Sequence, residues 1–337
     1  MKKYILVIAP IFTLLLLASN LNAQNIELLQ KGKPTSIRGL SVVDDNTAWV
    51  SGSRGTIAIT NDGGKTWDWK QVKGFEKSDF RDIEAFSSKE AIIMSSGTPA
   101  FILKTTDGGE NWQVKYKNTD TAYFFDAMDF VGKKHGLVLG DPIKGKFVLM
   151  ETNDGGETWN PFKNPPDALP GEAAFAASGT CLRISATTIE IVTGGAVARH
   201  LITFSTEKKW YYVYLPVKQG KSSQGAFSLD GFVYVGGDYS NDKSADSIAS
   251  YYDPAIVSIK NGYIASHQGP SGFQSCVESI STGTYLSTGT PGSNISNDGG
   301  KTWSKIDDVS YNVCRKAKKG KLVLLAGDGG KIGIFKP

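Results

Sequence analysis

Short apolar runs separated by glycine, asparagine and aspartate recur along the whole chain, without the 3.6-residue period of an amphipathic helix. Near the start, such runs occupy residues 37–43, 48–52 and 55–59, and each is bounded by turn residues. The segment after Trp67 supplies a fourth run. This pattern predicts four antiparallel strands joined by tight turns, and so an all-β protein.

An eight-residue motif punctuates this pattern. It occurs as TNDGGKTW at 60–67, TTDGGENW at 105–112, TNDGGETW at 152–159 and SNDGGKTW at 296–303. Asp62 and Asp107 are 45 residues apart, and Asp107 and Asp154 are 47 apart, which is the length of one four-stranded propeller blade. The longer gap to Asp298 leaves room for two degenerate units, and residues 205–210 read as the remnant of one.

Each motif has the chemistry of a hairpin turn. The Asp-Gly-Gly step supplies the positive φ angles that short loops need, and the carboxylate can accept backbone N–H bonds. The tryptophan then starts the next strand and packs across the repeat. We therefore assign a structural role to these residues: Asp62, Trp67, Asp107, Trp112, Asp154, Trp159, Asp298 and Trp303.

Seven such units fit the chain, with innermost strands expected to start near residues 37, 80, 124, 181, 224, 273 and 311. The last unit ends at Pro337 before a fourth strand, while residues 25–30 form an orphan strand. Pairing of these N- and C-terminal strands would bury both edges. We thus predict that residues 24–337 form a single seven-bladed β-propeller of four-stranded blades, with its ring closed by those strands.

The first 23 residues read as a secretory signal peptide. Lys2 and Lys3 precede an apolar run over residues 4–18, and Leu21-Asn22-Ala23 resembles a cleavage site. No Cys follows that site, so we expect no lipid anchor, and we expect no membrane span after cleavage. The prediction is export to the periplasm or outside the cell.

Charge and composition narrow the function further. The chain has 37 basic and 33 acidic residues, a net charge of +4, of which the signal peptide contributes two. That balance argues against a nucleic-acid binder. The three His are well separated, so we expect no metal and no cofactor. Cys276 and Cys314 lie in comparable positions of successive units and would be the pair of any disulfide, but buried free thiols are the favoured alternative.

The octets match the Asp-box of the bacterial neuraminidase repeat. With Gly52-x-x-Gly55-x-Ile57 before the first box and an echo from Gly327 to Ile332, the chain most resembles the photosystem II stability/assembly factor family of seven-bladed propellers. The resemblance covers essentially all of residues 24–337 and is weak in units four and five. It implies an exported, non-catalytic binding or assembly scaffold for a protein or glycan partner, and we expect a monomer.

Candidate binding residues lie on the innermost strands. Arg38, Arg81 and Arg315 start the innermost strands of neighbouring units, so they would form an anion or partner site at one mouth of the channel. The alternative is a sialidase-like glycoside hydrolase or a carbohydrate-binding propeller. Its acids would come from the inner strands, but their spacing selects no catalytic pair, and we assign no catalytic residue. The acids considered are Glu84, Asp126, Asp129 and Glu278.

Two further segments stand out. The Pro-rich insertion at 160–171 predicts a surface loop, which is either a binding loop or a plain connector. The aromatic run from Trp210 to Tyr214 suggests a sugar or peptide platform, although a strand at that position favours packing within the blade.

Overall fold

A computed structural model describes residues 24–207, 209–256 and 262–337. The predicted signal peptide lies outside the described residues. Within them the chain is all-β, apart from a single 3-10 turn at Tyr239–Asn241, and its strands form seven antiparallel sheets. The prediction of an all-β protein built from four-stranded antiparallel sheets is confirmed.

The strands are numbered in chain order. The first strand, β1 (Asn25–Gln30), joins the last sheet. Sheet one contains β2 (Ile37–Val42), β3 (Ala48–Gly52), β4 (Thr56–Thr60) and β5 (Asp68–Gln71). Sheet two contains β6 (Asp79–Ala85), β7 (Ala91–Ser96), β8 (Ala100–Thr105) and β9 (Gln113–Asn118). Sheet three contains β10 (Phe125–Val131), β11 (His135–Ile143), β12 (Lys146–Thr152) and β13 (Asn160–Pro161).

The next two sheets interleave along the chain, because β14 (Glu172–Ala173) belongs to sheet five. Sheet four contains β15 (Leu182–Ile184), β16 (Thr188–Val192), β18 (Arg199–Phe204) and β19 (Trp210–Tyr214). Sheet five runs in the order β14, β17 (Gly194–Gly195), β20 (Lys221–Asp230), β21 (Val233–Asp238), β22 (Ala249–Tyr252) and β23 (Tyr263–Ala265). It thus has six strands rather than four.

The last two sheets complete the chain. Sheet six contains β24 (Cys276–Ser281), β25 (Thr284–Gly289), β26 (Gly292–Ser296) and β27 (Ser304–Asp307). Sheet seven runs in the order β1, β30 (Lys331–Lys336), β29 (Val323–Gly327) and β28 (Val313–Lys316). In it β1 pairs antiparallel with β30, from Asn25 opposite Lys336 to Gln30 opposite Ile332.

The inner strands of successive sheets contact one another. The contacts run from β2 to β6, β10, β15, β20, β24 and β28, and β28 in turn contacts β2. Apolar side chains fill the space between adjacent sheets; Leu40 and Leu324, from sheets one and seven, lie in the same buried cluster. Burial of these clusters is the main source of stability.

Polar side chains on the inner strands hold neighbouring sheets together. Ser41 Oγ accepts a hydrogen bond from the Ala85 N–H at 3.0 Å. The same side-chain-to-backbone pattern recurs at other boundaries, with these acceptors and donors: Asp82 and Met128 N (2.7 Å), Asp129 and Ile184 N (2.7 Å), Ser228 and Val277 N (2.8 Å), Glu278 and Lys316 N (3.0 Å). The acids on the inner strands therefore accept hydrogen bonds from backbone N–H groups of the neighbouring sheet, which would otherwise be buried without a partner.

Candidate functional site

The segment from Ala174 to Thr180 lies between the inner strands. It is mostly buried, and Ser178 Oγ donates a hydrogen bond to the Ser275 carbonyl oxygen at 2.7 Å, across the sheets. A Cβ added at Gly179 would lie 2.1 Å from an Asp82 carboxylate oxygen, and Gly179 has a φ of +70°. Only glycine fits this backbone next to Asp82. The segment separates two cavities, which we call the first and second mouths.

The first mouth is a cavity of about 530 Å³ with one charged side and one aromatic side. Arg38 and Arg81 lie on the charged side, and their Nη1 atoms point toward the carbonyl oxygens of Ala177 and Ala176, at 3.5 and 3.4 Å. Burial, and next the neighbouring Arg81, lower the pKa of Arg38. Arg81 already forms an ion pair with Asp79, with Nε to Oδ2 at 2.7 Å, and Asp126, Asp141 and Asp328 also line this mouth. Arg38 is the guanidinium whose charged form an added anion would stabilise.

The aromatic side of the first mouth was missed by the sequence reasoning. Phe175 and Phe227 stack with ring centroids 3.8 Å apart, and Phe273 packs edge-on against Phe227 at 4.7 Å. Tyr239 is half exposed beside them. Phe227 lies in sheet five, Tyr239 lies in the 3-10 turn after β21, and Phe175 and Phe273 lie in the connections before sheets four and six. No local pattern in the sequence relates them.

Arg315 does not join the other two arginines. It lines the second mouth, a cavity of about 690 Å³, whereas Asn312 is the residue of its segment that reaches the first mouth. Arg315 follows Asn312 by three residues, about 10 Å along an extended chain. The prediction that the three arginines share one mouth is therefore wrong for Arg315.

The strand register at Arg315 also differs from the register at Arg38 and Arg81. Arg38 falls between the paired positions Ile37 and Gly39, and Arg81 between Phe80 and Asp82, so both arginines are the extra residues of β-bulges. A bulge re-aims its side chain and often lies beside a functional site. Arg315 instead sits in regular register opposite Leu324.

At the second mouth, acids and guanidiniums neutralise one another. Glu278 lies between two arginines, with its Oε2 atom 3.1 Å from Arg183 Nη2 and 3.6 Å from Arg315 Nη1. Burial, and next the charge of Asp230, raise the pKa of Glu278 to about 7. Glu84 forms an ion pair with Lys318, and burial raises its pKa. These carboxylates are already engaged by cations and backbone N–H groups.

The remaining candidate acids are divided between the mouths. Asp129 lines the second mouth and accepts the Ile184 N–H, and burial raises its pKa. Asp126 lines the first mouth, where burial and then the charge of Asp141 raise its pKa well above the ordinary value. Glu84, Asp129 and Glu278 therefore share the second mouth, but each already binds a cation or a backbone N–H, whereas glycoside hydrolysis requires two available carboxylates at one site.

The four Asp-boxes share one geometry within their own turns. Asp62 accepts hydrogen bonds from the Thr66 N–H at 2.9 Å and the Thr66 hydroxyl at 2.6 Å, and from the Thr60 hydroxyl at 2.8 Å. These bonds, led by the Thr66 hydroxyl, lower the pKa of Asp62 to about 2. The Trp67 indole N–H donates to the Gly64 carbonyl oxygen at 3.0 Å. The Asp carboxylate of each box thus accepts hydrogen bonds within its own turn, whereas the Trp159 indole N–H, unlike the other three, has no partner among the described residues.

Other candidate chemistry finds little support. Among the described residues, no group of three or more His, Cys, Asp or Glu could hold a metal ion. Cys181, Cys276 and Cys314 are free and buried, so no disulfide joins Cys276 to Cys314. In the part of the chain that the structure covers, no helix is long and apolar enough to cross a membrane.

The fold and its turns define the class of protein, an all-β propeller with Asp-boxes. Comparison with known proteins shows which family the chain resembles. Residues 19–119 match the family model of the photosynthesis system II assembly factor YCF48, and residues 295–305 match the BNR/Asp-box repeat. The resemblance to photosystem II stability/assembly factors that the Asp-boxes indicate is confirmed.

Relatives and solved structures agree with these matches. The photosystem II assembly lipoprotein Ycf48 of Synechococcus sp. (strain CC9902) is 23% identical over 284 residues, covering 82% of this chain and 76% of the relative. The chloroplastic stability/assembly factor HCF136 of Arabidopsis thaliana is 36% identical over 72 residues, covering 20% of this chain and 17% of the relative. A structure of YCF48 bound to a D1 peptide superposes with a TM-score of 0.65 at 16% identity, over 94% of this chain and 96% of that one. The WD40 propeller domain of Doa1 superposes at 0.60 with 10% identity, over 93% and 97%.

Proposed function

We propose that this chain is an exported, non-catalytic scaffold that binds a segment of a protein partner at its first mouth. The observation that carries the proposal is the cavity there, which Arg38 and Arg81 line together with the stacked rings of Phe175 and Phe227. Such a site suits a peptide that offers a carboxylate next to an apolar side chain. The relatives, an assembly lipoprotein and a YCF48 structure with a bound D1 peptide, support the same interpretation.

The proposal also covers the arrangement of the seven sheets. We interpret the seven sheets as seven blades of one closed ring, formed by residues 24–337 and sealed where β1 pairs with β30. The contact of β28 with β2 supports closure. A rigid ring suits a scaffold because its loops and mouths keep fixed positions while a partner binds. Residues 1–23 would direct export to the periplasm or beyond and then be removed.

A carbohydrate-active enzyme is the alternative. Neither mouth supports it, because Glu278 and Glu84 are paired with cations while Asp126 lies on the other side of the 174–180 segment. The Asp-box acids do not help, since each is held within its own turn. An enzyme would need two carboxylates flanking one open site.

Binding to peptides tests the proposal. An array of carboxyl-terminal and internal acidic segments from envelope proteins of the source organism would be probed with the purified protein. Segments that bind would then be titrated calorimetrically against the Arg38→Gln/Arg81→Gln double variant. We expect at least a tenfold loss of affinity, because two charge-assisted hydrogen bonds are removed. Arg54→Gln, at an exposed arginine of a different turn, is the matched control and should bind normally.

Two results would contradict the proposal. One is binding that the double variant retains in full while its fold, followed by circular dichroism, is unchanged. The other is hydrolysis of a fluorogenic sialoside by the wild-type protein that Glu278→Gln abolishes, which would favour the enzyme.

A further inference from the structure

Strand β19 is an unusual outer edge. Tyr211, Tyr212 and Tyr214 are 43, 56 and 54% exposed, although all three lie in a regular strand. Among the described residues, β19 is the outer strand of more than three residues that carries no charged side chain within its own bounds. The nearest charges are Lys209, with Nζ 5.2 Å from the Tyr211 ring centroid, and Glu207, which bonds to Tyr211; both precede the strand. The other long outer strands carry Glu27 in β1, Asp68 and Lys70 in β5, Lys115 and Lys117 in β9, and Lys305 and Asp307 in β27. Charges on an edge prevent strand pairing, and β19 lacks that protection.

The hydrogen bonds between β19 and β18 show which backbone groups of β19 face away from the sheet. The Leu215 N–H donates to the Ala198 carbonyl oxygen at 2.9 Å, immediately beyond the pair Arg199 and Tyr214. Bonded and non-bonded pairs alternate in an antiparallel ladder, so Val213 and Tyr211 also bond to β18. The N–H and C=O groups of the alternate residues therefore point away from the sheet; these residues are Trp210, Tyr212 and Tyr214.

This outward set is symmetric about Tyr212. The geometry points to a second copy of this chain as the occupant, pairing its own β19 antiparallel to the first across a twofold axis at Tyr212. Tyr212 would then face Tyr212 of the second copy, and Trp210 would face Tyr214 of that copy. All six residues in these pairs present free backbone groups, so one register satisfies every pair.

Side chains favour the same register. On one face it sets aromatic residues opposite one another, and on the other it sets Tyr211 opposite Val213, pairings that stabilise sheets. The equivalent pairing of β9 about Tyr116 would set Lys115 against Lys117 of the second copy. Like charges directly opposite are destabilising. In this register, charge repulsion opposes the self-pairing of β9 but not that of β19.

Contacts with the rest of the blade already hold part of this edge. The Arg199 guanidinium lies 5.0 Å from the Tyr212 ring centroid, and Tyr212 packs edge-on against Tyr214 at 5.9 Å. Arg199 is itself buried and held by Glu172, with Nε to Oε1 at 2.8 Å and Nη2 to Oε2 at 2.5 Å. Because these side chains are already held in place, dimerisation would cost less conformational entropy. The sequence alone predicts a monomer, and this edge changes that expectation to a dimer through sheet four.

Sedimentation over a range of concentrations tests the inference on the purified protein. We expect twice the monomer mass for the wild type and at least a tenfold rise in dissociation constant for Tyr212→Lys, because like charges would meet on the twofold axis. Val114→Lys adds the same charge to β9 at a residue that is 48% exposed, and it should leave the dimer intact. Tyr214→Lys replaces Tyr212→Lys if that variant loses its circular dichroism spectrum. A wild-type protein that stays monomeric at every concentration, or lysine variants that dimerise equally, would overturn the inference.

Cross-linking tests the register independently. Facing residues at Tyr212 would have Cα atoms about 5.5 Å apart, within the range for a disulfide. Tyr212→Cys should therefore form a covalent dimer when treated with diamide, which accepts the two electrons released by the thiols. Tyr211→Cys is the control: its copies would lie about 8 Å apart, too far to bridge. The three native cysteines are buried and should not compete. A cross-link at Tyr211 with none at Tyr212 would show that the register is wrong.

Discussion

The Asp-box tryptophans allow one chemical change to be compared in two environments. The Trp303 and Trp67 indoles each donate to the carbonyl oxygen of their own turn, Gly300 at 3.1 Å and Gly64 at 3.0 Å. Their burial differs, because Trp303 is only 2% exposed whereas Trp67 is half-buried. Replacing each with alanine removes the same hydrogen bond and a different amount of packing.

The expected costs follow from that difference. Trp303→Ala should lower the free energy of unfolding by about 3–5 kcal/mol, the usual range for a buried tryptophan. Trp67→Ala should cost about half as much, since much of its ring already contacts water. The lost indole hydrogen bond, about 1 kcal/mol, is common to both and cancels in the comparison. Burial rather than the turn hydrogen bond therefore sets the difference.

Urea unfolding followed by far-ultraviolet circular dichroism measures both costs, provided that the slope with denaturant stays constant. Trp303→Phe is the control, since it keeps an aromatic ring in the pocket and loses the indole N–H. It should cost clearly less than Trp303→Ala. Equal costs for the two alanine variants would refute the reasoning, because they would mean that the shared hydrogen bond dominates.

Three further predictions concern charge and sheet contacts. Asp62 and Asp154 have folded pKa values of about 2, below the ordinary 3.8. The stability that they provide is therefore present above about pH 4 and is lost as the pH falls toward 2. The double variant Asp62→Asn/Asp154→Asn should show a smaller loss of unfolding free energy over that pH range. Glu278 has the opposite shift, to about 7, so stability should fall as the pH rises from about 4.5 to 7, and Glu278→Gln should remove that slope in urea melts at each pH. Asn312→Ala removes the Nδ2 hydrogen bonds to the Ile37 carbonyl oxygen (3.0 Å) and to Asp328 (2.9 Å). It should lower the free energy of unfolding in urea by about 1–3 kcal/mol. Asn61→Ala, at an exposed turn position, is the control and should cost almost nothing.

Local chemistry was readable from the chain. The Asp-Gly-Gly step needs only neighbouring residues, and Gly63 and Gly64 adopt φ angles of +73° and +90° in the turn. The alternation of short apolar runs likewise depends on residues close in sequence, and it was enough to predict an all-β protein with four-stranded sheets. The repeated spacing of the boxes was enough to indicate the family.

The candidate site depended on longer-range contacts. Arg38 and Arg81 line the same mouth, each as the extra residue of a bulge, whereas Arg315 lies three residues beyond Asn312, the residue of its segment that reaches that mouth. A shift of three residues along a strand moves a side chain by about 10 Å, from one mouth to the other. Strand boundaries inferred from sequence carry errors of that size, so the three arginines could not be separated in advance.

What the sequence by itself determined was the repeated turn and the all-β architecture, because both arise from residues within a few positions of one another. Only the tertiary structure decided how the non-local pieces meet: the 174–180 segment between the inner strands, the aromatic side of the first mouth, and the two added strands of sheet five. Phe175 and Phe227 are 52 residues apart in the chain and 3.8 Å apart in space. No periodicity links them, because their contact is set by how whole sheets pack against one another.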